Sequence, residues 1–103
     1  NHPNITTPYV ATYSNHVYHQ YTLVLDGVNR DGLHAYLAEH GVPSMIYYPV
    51  PGHRQGMFAS FNMTQYQLDI TDWLTESVIS LPVHTEMDDE QLTHITENVL
   101  NYL

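Results

Sequence analysis

His16-Val17-Tyr18-His19-Gln20-Tyr21-Thr22-Leu23-Val24-Leu25 is a run of β-branched and aromatic residues, the composition of a strand. At a two-residue period, Val17, His19, Tyr21, Leu23 and Leu25 share one face, while His16, Tyr18, Gln20, Thr22 and Val24 share the other. The first face ends in aliphatic core; the second is mixed, as on a sheet surface that meets water or a partner. Towards the C-terminus, Asp26-Gly27-Val28 turns the chain, and Asn29 stands as N-cap to a helix over 30–40 with Leu33, Tyr36, Leu37 and His40 on one stripe. Gly41 supplies the left-handed residue after that helix, and Pro43 prevents its continuation. A second short extended run covers 44–48. Residues 57–63 are apolar without a clear period and read as a loop or a short helix. Asp69 or Thr71 caps a helix to about 77, with Ile70, Trp73, Leu74 and Val78 as its buried stripe, and 78–82 is a short strand ended by Pro82. Thr85 or Asp88 opens a last helix, Asp88-Asp89-Glu90-Gln91 having capping-box spacing, and that helix carries Leu92, Ile95, Val99 and Tyr102. Towards the N-terminus, residues 1–14 contain Pro3 and Pro8 and read as an extended lead-in laid against the domain or against something missing.

The order strand, helix, strand, long loop, helix, strand, helix predicts an α+β fold. Its sheet is small, mostly antiparallel, of about three strands, and covered by helices on one face. The bare face suits a lobe of something larger.

Composition narrows the function. The 103 residues are enough for one domain, and 43% hydrophobic against 13% charged residues describes a globular chain. There is no cysteine, which excludes disulfides, thiolate nucleophiles and cysteine zinc sites and permits a reducing compartment. Eleven acids against Arg30 and Arg54 give a net charge of −9, which argues against nucleic acid or an anionic membrane as partner. No apolar run approaches the ~18 residues of a membrane span, and the first residues do not read as a signal peptide. There is no lysine, so no Schiff base or P-loop lysine comes from this polypeptide.

Chemistry concentrates in Ser44-Met45-Ile46-Tyr47-Tyr48-Pro49-Val50-Pro51-Gly52-His53-Arg54-Gln55-Gly56. Pro49 and Pro51 push Tyr48 and Val50 toward extended conformations and stiffen the loop. Tyr47, Tyr48, His53, Arg54 and Gln55 give it two phenols, an imidazole, one of the two cations and an amide, a recognition surface by composition. The plainer reading is an exposed loop whose prolines limit its entropy. Elsewhere, His16 and His19 point to opposite faces of a strand and make a poor metal pair. Glu90 and His94 read as a solvated i, i+4 pair, no serine lies in a nucleophile elbow, and Trp73 reads as core.

Three blocks carry a resemblance: His16-Val-Tyr-His-Gln-Tyr-Thr-Leu23, Gly41-Val-Pro-Ser-Met-Ile-Tyr-Tyr-Pro-Val-Pro-Gly-His-Arg-Gln55 and Thr75-Glu-Ser-Val-Ile-Ser-Leu-Pro-Val-His-Thr-Glu-Met-Asp-Asp-Glu-Gln91. In order and spacing they resemble the C-terminal part of the DegT/DnrJ/EryC1/StrS family, the pyridoxal-phosphate-dependent sugar aminotransferases, from about Tyr9 onward. The resemblance implies that residues 1–103 are the C-terminal small domain of a fold-type-I aminotransferase, with roughly 250 further residues upstream as a large domain. In the family that large domain supplies the Schiff-base lysine, the acid paired with the pyridine nitrogen and the ring-stacking histidine. The resemblance therefore implies no catalytic or cofactor-binding residue and no metal in this chain, no pyridoxal phosphate held by it alone, and no activity by itself. For the parent it implies transfer of an amino group, usually from glutamate, to a nucleotide-linked keto sugar by a cytoplasmic homodimer, with no nucleic-acid or membrane partner. Tyr47 and Tyr48 match positions that approach substrate, His53 matches the histidine after the two prolines, and Arg54 is a candidate for an anion. Gly52 departs from the bulkier residue, often leucine, common before that histidine, and His19 matches a frequent histidine of the first strand. The rival readings are the small domain of a sugar dehydratase on the same scaffold, a free-standing acidic ligand- or protein-binding module, and a histidine metal binder.

Overall fold

The computed structural model describes residues 2–103, with the backbone alone at Thr64. Its sheet has three strands, β1 (Ile5–Thr6), β2 (Tyr21–Leu25) and β3 (Val78–Leu81), with β2 in the centre and both neighbours antiparallel to it. The register sets Ile5 opposite Leu25 on one side, and Tyr21 opposite Leu81 and Leu23 opposite Ile79 on the other. Period-two alternation then puts Leu23, Leu25 and Ile79 into the core. Helices α1 (Arg30–Glu39) and α3 (Asp89–Tyr102) cover that face with Leu33, Leu37, Ile95 and Val99, and Val42 closes the cluster just past α1. Each fully buried leucine contributes about 1.5–3 kcal/mol relative to an exposed one. The expected α+β fold, with a small antiparallel sheet and helices on one face, is what the chain forms.

The helix ends follow the sequence. Asn29 Oδ1 accepts from Gly32 N at 3.0 Å, and Gly41 takes φ +73 beyond α1. Asp88 and Gln91 form a reciprocal capping box, with Gln91 N donating to Asp88 Oδ1 at 2.8 Å and Asp88 N to Gln91 Oε1 at 3.2 Å. His94 makes no ion pair with Glu90. Its Nε2 donates instead to the His40 carbonyl at 2.9 Å, satisfying an orphan acceptor at the end of α1 and tying α1 to α3.

Several expectations change. The first strand begins at Tyr21, not His16, because Tyr18 is left-handed (φ 47) and folds back so that its N–H donates to His16 Nδ1 at 2.9 Å with the two rings stacked. Val17 is consequently exposed. The run over 44–48 contributes a single bridge, Met45 to Ser80, while the lead-in segment supplies the edge strand β1. Helix α2 (Asp69–Ser77) has Leu68 as N-cap with no side-chain bond, so neither Asp69 nor Thr71 caps it. Its stripe is not core either: α2 packs mainly against β2, and Ile70 is 74% and Trp73 48% exposed. Leu92, on the first turn of α3, is exposed too. No helix among the described residues is long and apolar enough to cross a membrane.

Candidate functional site

Two backbone bonds pin the start of the loop to the sheet. Met45 N donates to Ser80 O at 2.9 Å and Ser80 N to Met45 O at 2.8 Å. Tyr47 follows at 41% exposure and Tyr48 at 77%, their ring centroids 6.4 Å apart and tilted. Pro49 was expected to hold Tyr48 extended; Tyr48 is instead left-handed, φ 55. This conformation costs a non-glycine residue about 1–2 kcal/mol, and it turns the chain sharply out of the bridge.

Pro51, at φ −64, then leads into a 3₁₀ turn, Gly52–Arg54, in which Arg54 N donates to Pro51 O at 2.9 Å. A further pair of 3₁₀ segments, Gly56–Phe61 and Met63–Gln65, resolves the aperiodic stretch that follows. The tight turn carries His53 inward. Only 8% of it is exposed, and its Nε2 lies 3.3 Å from Asp72 Oδ1, in the first turn of α2. Arg54 reaches the same carboxylate, its Nη2 donating to Asp72 Oδ2 at 2.7 Å, while its Nε points to His53 Nε2 at 3.4 Å. The sequence reading missed Asp72. The only local signal was an acid in the first turn of a helix, which usually just complements the dipole.

Tyr47 faces another neighbourhood, a groove of about 250 Å³ shared with His19, Gln20, Ser44 and Ser80. Ser44 Oγ is 2.7 Å from His34 Nδ1, and Ser80 Oγ is 2.8 Å from Thr22 Oγ1, so both hydroxyls are held by neighbours. An imidazole, an amide, hydroxyls and a phenol share the lining with Pro43, Met45, Leu81, Pro82 and Val83, and the polar groups can exchange hydrogen bonds with a neutral polyhydroxylated ligand. Tyr48, His53 and Arg54 do not line it. The four predicted site residues thus separate into the Tyr47–Tyr48 pair, with Tyr47 on the groove, and the His53–Arg54 pair clasped to α2. His19 joins the first group.

Neither arginine is spare. Arg30 donates to Asp31 Oδ1 at 2.8 Å and to the Thr75 carbonyl, and Arg54 is bound to Asp72. Among the described residues no group of three histidines or carboxylates is placed to hold a metal ion.

The sequence profile of the DegT/DnrJ/EryC1/StrS aminotransferase family matches residues 1–100. The chain belongs to this family. It is 41% identical over 81 residues to the UDP-N-acetyl-3-dehydro-alpha-D-glucosamine 3-aminotransferase of Acidithiobacillus ferrooxidans, covering 79% of this chain and 21% of that protein. It is 35% identical over 98 residues to the pleiotropic regulatory protein of Geobacillus stearothermophilus, covering 95% of this chain and 26% of that protein. The crystal structure of a DegT/DnrJ/EryC1/StrS aminotransferase from Brucella abortus superposes with a TM-score of 0.80 at 26% identity, over 96% of this chain and 26% of that one. The chain spans about a quarter of the length of the relatives it matches. Its own residues do not make up the cofactor site of a DegT/DnrJ/EryC1/StrS aminotransferase. There is no lysine to bond pyridoxal phosphate, and both cations that could take its phosphate are engaged by Asp31 and Asp72.

Proposed function

We propose that this chain is the C-terminal small domain of a pyridoxal-phosphate-dependent transaminase that moves an amino group, from glutamate, to a nucleotide-linked keto sugar. In this reading the lobe is inactive alone, and the cofactor is held by a large domain of the parent, a cytoplasmic homodimer. The observation that carries it is the groove beside Tyr47. Its lining mixes neutral donors and acceptors with apolar side chains and carries no lysine or arginine, which suits the hydroxyls and ring faces of a sugar and leaves diphosphate and cofactor phosphate to other polypeptide. Tyr47 presents its hydroxyl to the sugar from the groove, and Tyr48, outside the groove with its ring centroid 6.4 Å away, adds a second phenol beside it. His53 and Arg54 lie on the following 3₁₀ turn, and Arg54, whose side chain is 62% exposed even while paired with Asp72, is the candidate for a carboxylate of the donor.

The test uses the parent enzyme. Tyr47→Phe should raise KM for the keto sugar by about three- to tenfold, the loss of one ordinary hydrogen bond, and leave the cofactor absorbance band in place. Loss of that band would assign Tyr47 to the cofactor or the fold. Amine transfer by the 103-residue chain alone would refute the division of labour.

A further inference from the structure

We infer that Ser44 is a substrate contact of the groove, accepting a hydrogen bond from a hydroxyl of the sugar, and that His34 on α1 is a positioning residue that holds it there. The part concerning the sugar rests on the reading that this groove takes one. Two serine hydroxyls line the groove, Ser44 and Ser80, and each is fastened by a side chain that does not line it, His34 and Thr22. The two bonds answer different needs. Ser80 is 5% exposed, so its 2.8 Å bond to Thr22 Oγ1 satisfies a group shut away from water. Ser44 is only half-buried, and water in the groove could satisfy its hydroxyl, so its 2.7 Å bond to His34 Nδ1 is not needed to offset burial. What that bond does is select one of the three staggered positions open to a serine hydroxyl.

Both ends of the bond are anchored. Met45, next in the chain, exchanges two backbone hydrogen bonds with Ser80, which fixes the backbone from which Ser44 projects. His34 follows Leu33, fully buried on α1, so the imidazole is tied to the core and not to the loop. A hydroxyl carries one hydrogen and two lone pairs. Whether Nδ1 accepts that hydrogen or donates one of its own, at least one lone pair on Ser44 Oγ stays free, so Ser44 can accept from a ligand in either tautomer of His34. An acceptor set in advance loses no further rotamer freedom when the sugar arrives, and it favours a ligand whose hydroxyl is aimed at that point.

The experiment compares variants of the full-length enzyme, with glutamate as donor and a UDP-linked 3-keto hexose as acceptor. Ser44→Ala should raise KM for the sugar about three- to tenfold, the loss of one ordinary hydrogen bond, and change kcat by less than about twofold. His34→Ala should raise KM as well, yet add nothing in a Ser44→Ala background, because its influence passes through that hydroxyl. His34→Asn, whose amide reaches the place of Nδ1, should restore most of the lost affinity. An equal effect of His34→Ala with and without the Ser44 hydroxyl overturns the positioning role. So does a crystal structure of His34→Ala in which Ser44 keeps a single, unchanged rotamer. If Ser44→Ala leaves KM unchanged while Tyr47→Phe raises it, the inference falls and the groove still takes the sugar. If neither variant raises KM, or no amine reaches the sugar, the reading of the groove falls, and the Ser44 rotamer in His34→Ala still decides whether the ring holds the hydroxyl.

Discussion

Tyr48 and His53 show two ways in which a side chain's setting escapes local rules. Tyr48 precedes a proline, which favours extended backbone, yet it is left-handed because the bridge at Met45 fixes where the chain leaves the sheet and Pro49 fixes where it goes next. Tyr48→Gly should relieve that strain and raise the unfolding free energy by up to about 1 kcal/mol in a urea titration, while weakening sugar affinity. Stability unchanged or lowered would show that the left-handed turn is not strained. The sequence marked His53 as chemistry-bearing, but its inward direction comes from a 3₁₀ turn and from a carboxylate nineteen positions away, which no spacing rule connects. His53→Ala should destabilise the protein by about 1–3 kcal/mol, since it empties a buried site and removes the ring that Arg54 Nε donates to. A change within error would mean that water replaces the ring freely.

Elements were legible where their signals are complete within a few residues. Asn29, Gly41 and the Asp88–Gln91 box each carry their own partner and appear as read. Asp88→Ala should cost about 1 kcal/mol, measured as a lower urea midpoint at unchanged slope. Helix α2 departs from its periodicity because an apolar stripe says which side is apolar and not whether anything covers it; Ile70 and Trp73 have the spacing and stay exposed. The first strand was drawn too long for a related reason, since composition cannot reveal a left-handed break at Tyr18. Gly32 in α1 gives a further test. A Cβ there would meet the Tyr102 hydroxyl, which donates to the Asn29 carbonyl at 3.3 Å. Gly32→Ala should therefore forfeit most of the ~1 kcal/mol that alanine brings to a helix and recover it in a Tyr102→Phe background. Equal gains in both backgrounds would show that Tyr102 moves aside without loss.

At the scale of the whole molecule, fold class and family were legible because alternation of elements and three spaced blocks survive errors in single boundaries. What the charge does there is also predictable. A net charge of −9 acts within a radius of gyration of 15.9 Å. The screening length falls from about 30 Å in 0.01 M salt to about 8 Å at 0.15 M, so self-repulsion fades. Sodium chloride over that range should raise the Tm by a few degrees, about 0.5–1 kcal/mol of relief for a domain this size. A falling Tm would mean that the Asp72 clasp, also screened, outweighs it. The pairing of Met45 with Ser80 bears on movement. Because those two bonds rivet the tyrosine loop to β3, Tyr47 is tied to the sheet, and the loop has no hinge of its own at that end. Opening and closing of the pocket would then register as one rate for sheet and loop together, with Tyr47 relaxing in step with Ile79 rather than ahead of it.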